Sequence, residues 1–148
     1  MTTPVQRILS VTPPSLSARR AIVMYSRVAL GSAFLSAVAS RFGLWDGSLD
    51  RAHFQNFLKY AAAVNSFMPA ACVPFLAWSA TIAETVLGIA LIVGIRLRLT
   101  AFCASVLLAL FGTAMSISFG PKSPLDYSVF SASAAALLLA NFDVRRSK

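Results

Sequence analysis

The sequence predicts an all-α fold, an integral membrane four-helix bundle with an interfacial amphipathic helix between spans one and two. Three observations lead there. Only 12% of the 148 residues are charged, about half the ~25% of a soluble domain, while 57% are hydrophobic. Mean hydropathy is correspondingly high, at +0.73. The apolar residues also gather in runs of about twenty, the length that crosses a bilayer, with prolines and basic residues between them.

Each element follows in order. Residues 1–20, MTTPVQRILSVTPPSLSARR, are polar, basic and punctuated by proline, and predict a flexible cytoplasmic tail. The first span covers residues 21–39 and is apolar apart from Arg27. Ala37-Val38-Ala39 also matches a signal-peptide cleavage site after a basic segment, although Arg27 interrupts the apolar stretch that such a peptide needs. Residues 51–66 then place Phe54, Phe57, Leu58, Ala61 and Val64 at helical spacing, with His53, Gln55, Asn56 and Lys59 opposite. That helix is too polar to span. It predicts an interfacial element anchored by Trp45 and Tyr60.

Pro69 and Pro74 interrupt the chain before a second span at residues 75–94. The basic turn IRLR leads to a third at 99–119, and GPKSPLDY to a fourth at 125–142. Small residues stripe the last two: Ala101, Ser105, Ala109 and Gly112 in the third, Ser128, Ser131, Ala132 and Ala135 in the fourth. Residues 143–148 form a basic cytoplasmic tail. The membrane domain is thus residues 21–142, and no soluble catalytic domain is expected.

Charge sets the orientation. With the N-terminus inside, Arg7, Arg19, Arg20, Arg96, Arg98, Arg145, Arg146 and Lys148 share one side; Arg41, Arg51, Lys59 and Lys122 share the other. The richer side stays cytoplasmic, so both termini are expected there. The net charge of +8 therefore reads as topology and headgroup contact, and no nucleic-acid partner is expected, since no basic-aromatic module is visible.

Several chemistries find no residues. A single histidine, His53, cannot build a metal site, and no phosphate loop or G-x-S-x-G occurs. Cys72 and Cys103 would lie at opposite ends of their spans, too far apart for a disulfide; Cys103 is expected to pack as a small residue.

The charges inside the apolar runs are the candidate site. Glu84 would lie about 15 Å deep in span two, and Arg27 about 9 Å deep in span one. An unpaired charge there costs at least about 2.5–3.5 kcal/mol. Glu84 shares a face with Ala77, Thr81 and Gly88, and Arg27 with Gly31, small neighbours that let helices approach. The expectation is a buried Arg27–Glu84 ion pair. It serves either as a staple between spans one and two, or as a proton site beside a quinone-like headgroup. Asp126 has a second role to fill: Ser123 as N-cap, Pro124 at N1 and Asp126 at N3 make a capping box with a proline start. With Tyr127 and Ser128 beside it, Asp126 also forms a candidate outer polar site.

In this order, the first span, "AETVLGIALIVGIRLRLTAFCASVLLALFG" and "PLDYSVFSASAAALLLA" resemble the DoxX family of small bacterial four-span membrane proteins. Its most specific features are Glu84, Gly88 and Gly94 with a basic residue following, and the Leu125-Asp126 opening of span four. The long loop with its own helix departs from the shortest members. The resemblance implies a bacterial inner-membrane protein and an accessory or anchor subunit of a quinone-linked redox complex. It implies a soluble or membrane redox partner, with a homo-oligomer also compatible. No cofactor is evident in the sequence, which carries no haem, flavin or iron–sulfur motif, so a redox role would come through a bound quinone or through a partner subunit. A quinone-handling catalytic subunit using Glu84 and a small proton-coupled carrier are the alternative functions.

Overall fold

The computed structural model describes residues 15–47 and 49–142. Their regular structure is entirely helical, with no strand among the described residues. The elements are α1 (Leu16–Arg41), α2 (Arg51–Val64), a 3₁₀ turn (Ala70–Cys72), α3 (Val73–Val93), α4 (Leu97–Phe119), α5 (Lys122–Asp126) and α6 (Val129–Asn141). Residues 1–14 of the expected N-terminal tail, and the tail at 143–148, lie outside the described residues.

Local chemistry explains most of the boundaries. α1 starts earlier than composition suggests because the Ser15 hydroxyl accepts from Ala18 N at 3.2 Å, an N-cap that draws Leu16–Arg20 out of the expected tail and into the helix. Asp50 caps α2 through Ala52 N. Pro74 stands in the first turn of α3, where its missing N–H costs nothing. Gly94 closes α3 at φ 85°, a left-handed conformation that glycine adopts without strain.

Three helical segments are long and apolar enough to cross a membrane: Leu16–Arg41, Ala70–Val93 and Leu97–Phe119. The fourth expected span is not one continuous helix. α5 stops at Asp126, Ser128 turns to φ 56°, and α6 keeps only 13 residues. At 1.5 Å per residue α6 is about 20 Å long, short of a ~30 Å hydrocarbon core.

The helices pack as two close pairs. α1 lies against α3 and α4 against α6, with lighter α3–α4 and α1–α6 contacts joining them. In the first pair Gly31 faces Gly88: a Cβ on Gly31 would come 2.8 Å from the Gly88 carbonyl oxygen and 2.6 Å from Ile92 Cγ1. In the second, the Ser133 hydroxyl donates to Ser105 O at 2.9 Å. The buried face of α6 is Ser133, Ala136, Leu139 and Ala140, so Ser131 and Ala135 of the expected stripe point outward.

α2 lies across the end of the molecule where α1 finishes and α3 begins. Its Ala61 and Val64 are buried, Phe54 and Trp78 rings stand 4.6 Å apart, and the Ser118 hydroxyl of α4 donates to Val64 O. The outer faces of α3, α4 and α6 carry Phe75, Ile82, Val86, Phe102, Leu110 and Leu138, all exposed. A continuous apolar surface of this kind suits lipid and would drive aggregation in water. Cys103 is on this exposed surface, not among the packed residues.

Candidate functional site

Glu84 occupies the middle of α3 and is only 2% exposed. Its cationic partner is Arg41, the last residue of α1: Arg41 Nη2 donates to Glu84 Oε1 at 2.7 Å and Nη1 to the Thr81 hydroxyl at 3.0 Å. The guanidinium also lies over the Phe57 ring of α2, 3.9 Å from its centroid. Three helices thus meet at one charge pair. Thr81, one turn before Glu84, accepts from Arg41 while donating its own proton to Ala77 O at 2.8 Å.

The expected Arg27–Glu84 pair is therefore corrected. Arg27 instead donates through Nε to Leu91 O at 2.9 Å and through Nη2 to Ile92 O at 2.7 Å. Those carbonyls belong to the last turn of α3, which has no intrahelical donors left for them, and a cation there also complements the helix dipole. The reason lies in register and direction. With Gly31 opposite Gly88 in an antiparallel pair, Glu84 is level with Leu35. By the helical rise, Arg41 is about 9 Å from that level and Arg27 about 12 Å, on the other side. Helical side chains lean toward their own N-terminus, which carries Arg41 toward Glu84 and Arg27 away from it.

An apolar cleft of about 790 Å³ opens beside this pair. Leu30, Phe34, Leu107 and Phe111 are among its lining residues, α2 covers it with Phe57 and Ala61, and Arg41 and Glu84 also line it. Glu84 Oε2 has no hydrogen-bond partner in the protein. The carboxylate is anchored on one oxygen, and the other is buried without a partner. Tyr60 and Asn65 border the cleft under α2. Burial, and secondarily the nearby Tyr127, raises the Tyr60 pKa above its ordinary value, so its hydroxyl stays protonated.

Asp126, Tyr127 and Ser128, the second candidate group, are all exposed at the turn between α5 and α6. Ser123 lies inside α5 instead of capping it, and Asp126 pairs with Lys122 one turn back. His53 Nε2 lies 3.1 Å from Asp46 Oδ2. Among the described residues no cluster of metal-ligating side chains occurs.

Arg41 and Phe57 were not legible as site residues. Arg41 reads as one more basic residue at a span edge, and Phe57 as part of an amphipathic face. The one available signal was the Gly31–Gly88 match, which sets the register that brings Arg41 within reach.

The fold and the site together define a helical membrane protein with a charge pair set beside an apolar cleft. Residues 22–117 match the DoxX family model, and the chain belongs to the DoxX family. That match runs from within α1 to the last turn of α4, includes Arg41, Phe57 and Glu84, and stops before α5 and α6. No curated protein and no solved structure matches the chain.

Proposed function

We propose that this membrane protein is an accessory or anchor subunit of a membrane-associated, quinone-linked redox complex, and that the Glu84 cleft is where a quinone-type molecule binds. The observation that carries the proposal is a buried carboxylate with one unpaired oxygen beside an apolar cleft. Small-molecule sites are typically such clefts, about 300–1,000 Å³ in volume, apolar with a few fixed polar groups. A carboxylate kept only as a staple would have both oxygens satisfied, since an orphaned buried acceptor costs about 1–3 kcal/mol.

The residues fit a quinone-type ligand. Phe34, Phe57, Leu107 and Phe111 would enclose its ring and tail, and Glu84 with Arg41 would hold its polar head. Bound there, a quinone supplies reversible two-electron, two-proton chemistry. The chain's own part is to exclude water, to hold the head at Glu84, and to keep that carboxylate paired with Arg41. α1, α3 and α4 crossing the bacterial inner membrane, with the broken α5–α6 segment as the fourth crossing, both termini cytoplasmic and α2 at the outer surface, complete the proposal. Arg19, Arg20, Arg96 and Arg98 support it by gathering at the end of the molecule opposite α2.

The test is thermal unfolding of the detergent-purified protein with a decyl-substituted benzoquinone–hydroquinone couple. A bound ligand at a hundredfold excess over Kd stabilises by about 2.7 kcal/mol, a shift of several degrees. Unchanged melting with either form would remove the proposal.

A further inference from the structure

We infer that the cleft is entered sideways from the lipid, through a mouth between α3 and α4 beneath α2, and that its occupant is a tailed amphiphile whose tail runs out through that mouth into the bilayer. The inference deepens the reading of this cleft as a ligand site and rests on it.

The mouth is marked by residues that line the cleft and face outward at the same time. Ser79 of α3 and Leu110 and Ile117 of α4 do both. Leu110 and Ile117 are each 62% exposed, so they form lips and not a floor. Ala83 of α3 and Ala114 of α4 line the cleft beside them, with side chains small enough to leave the gap unfilled. α3 and α4 are held together at the end away from α2 by the short turn at residues 94–96. Toward α2 they are free to part, and the lips lie on that part of both helices.

The water side is covered by α2. The Phe57 ring of α2 lies on the Arg41 guanidinium of α1, its Phe54 ring meets Trp78 of α3, and its Val64 O accepts from the Ser118 hydroxyl of α4. A helix fixed to three spans makes a roof, and the mouth beneath it faces hydrocarbon. Water gains little by entering there, because a mainly apolar cleft offers it too few hydrogen-bond partners.

Polarity along the cleft makes the occupant an amphiphile. Arg41, Tyr60 and Asn65 border it beside the roof, and Leu30 and Leu107 border it deeper. By the helical rise, Leu30 is about 16 Å from Arg41 along α1. Arg41 commits one N–H to Thr81 and one to Glu84, and a guanidinium keeps its other donors for a ligand head. Head beneath the roof and tail toward hydrocarbon is also how a bilayer lipid stands, so such a molecule enters without turning over.

The first experiment reads nitroxide collision accessibility in phosphatidylcholine vesicles, on the full chain carrying C72S and C103S. Labels at A83C and A114C sit on the two walls of the mouth. I82C on the exposed face of α3 and K59C on the exposed face of α2 give the lipid and water references. Oxygen, which concentrates in hydrocarbon, should relax both wall labels about as strongly as the I82C label. A water-soluble nickel chelate should relax them severalfold less than the K59C label. Strong nickel relaxation at the walls makes the entrance aqueous, and weak relaxation by both reagents makes the cleft closed; either result overturns the inference. Each wall is read separately, so a variant that fails to fold leaves the other to decide. The second experiment uses the unaltered protein in detergent, where a polyprenyl benzoquinone should raise the melting temperature as much as decylbenzoquinone does. A shift lost with the longer tail means that the tail stays enclosed, and also overturns the inference. No shift with either removes the quinone reading, while the oxygen result still establishes the entrance.

Discussion

Arg27 and Arg41 carry the same charge on the same helix, yet their environments give them different work. Arg27 completes the end of α3, and Gly94 leaves the room it needs, since a Cβ there would strike its guanidinium. Arg41 neutralises the one acid buried among the apolar helices. Removing one partner of a buried pair leaves the other charged and unsolvated, at a cost of about 3–5 kcal/mol, whereas replacing both with apolar residues is far milder. R41A should therefore lower stability by that amount, and R41M combined with E84L should fall well short of the two single losses added together. A double-mutant cycle on reversible unfolding measures the difference, and additive losses would refute the coupling. The companion cycle of R27A with E84L should be additive to within about 0.5 kcal/mol. Glu84 was legible from the sequence, because an acid in the middle of an apolar run demands a partner. The partner's identity was not, because depth arithmetic treats an arginine as free to lean either way along its helix, and its Cα–Cβ bond does not allow that.

Between elements, the governing contact is the α1–α3 crossing at Gly31 and Gly88. With no membrane hydrophobic effect to press helices together, close backbone approach and its dispersion contacts hold the pair, and these need small residues. G31A places a Cβ 2.8 Å from a backbone oxygen and 2.6 Å from Ile92 Cγ1, so the helices must separate. A loss of about 1–3 kcal/mol is expected from overpacking, read as a lower melting temperature. G88A should be gentler, because the nearest atoms to its Cβ are the flexible Leu35 side chain at 3.0 Å and the Gly31 carbonyl at 3.1 Å. Equal tolerance of both changes would show that the crossing is loose. The bounds expected for spans two and three lie within two residues of the ends of α3 and α4, because Pro74 and Gly94 punctuate a long apolar run. The fourth was not. Its apolar composition continues through Ser128, but the backbone reverses there, and a left-handed serine leaves no mark on hydropathy.

Across the whole molecule, the two helix pairs and the α2 cover leave a cleft beside Glu84. Ala83 lines that cleft beside Glu84. Filling the space with A83F should leave the melting temperature of the unliganded protein within about 1 kcal/mol of native stability, because the added ring enters a cleft and not a close-packed core. The same change should abolish the shift caused by the quinone–hydroquinone couple. A ligand-induced shift that survives A83F would place binding elsewhere.

Composition and periodicity were sufficient for the helical class, the membrane setting, the amphipathic α2 and the isolated acid in α3. All of these follow from how apolar residues partition and repeat along a chain, which is a local property. Tertiary structure alone decided that Arg41 reaches Glu84, that Phe57 stacks on that arginine, and that one oxygen of a carboxylate lining a cleft is left buried and unpaired. Those depend on the register of an antiparallel pair and on the lean of side chains across it, and neither is carried by any single segment.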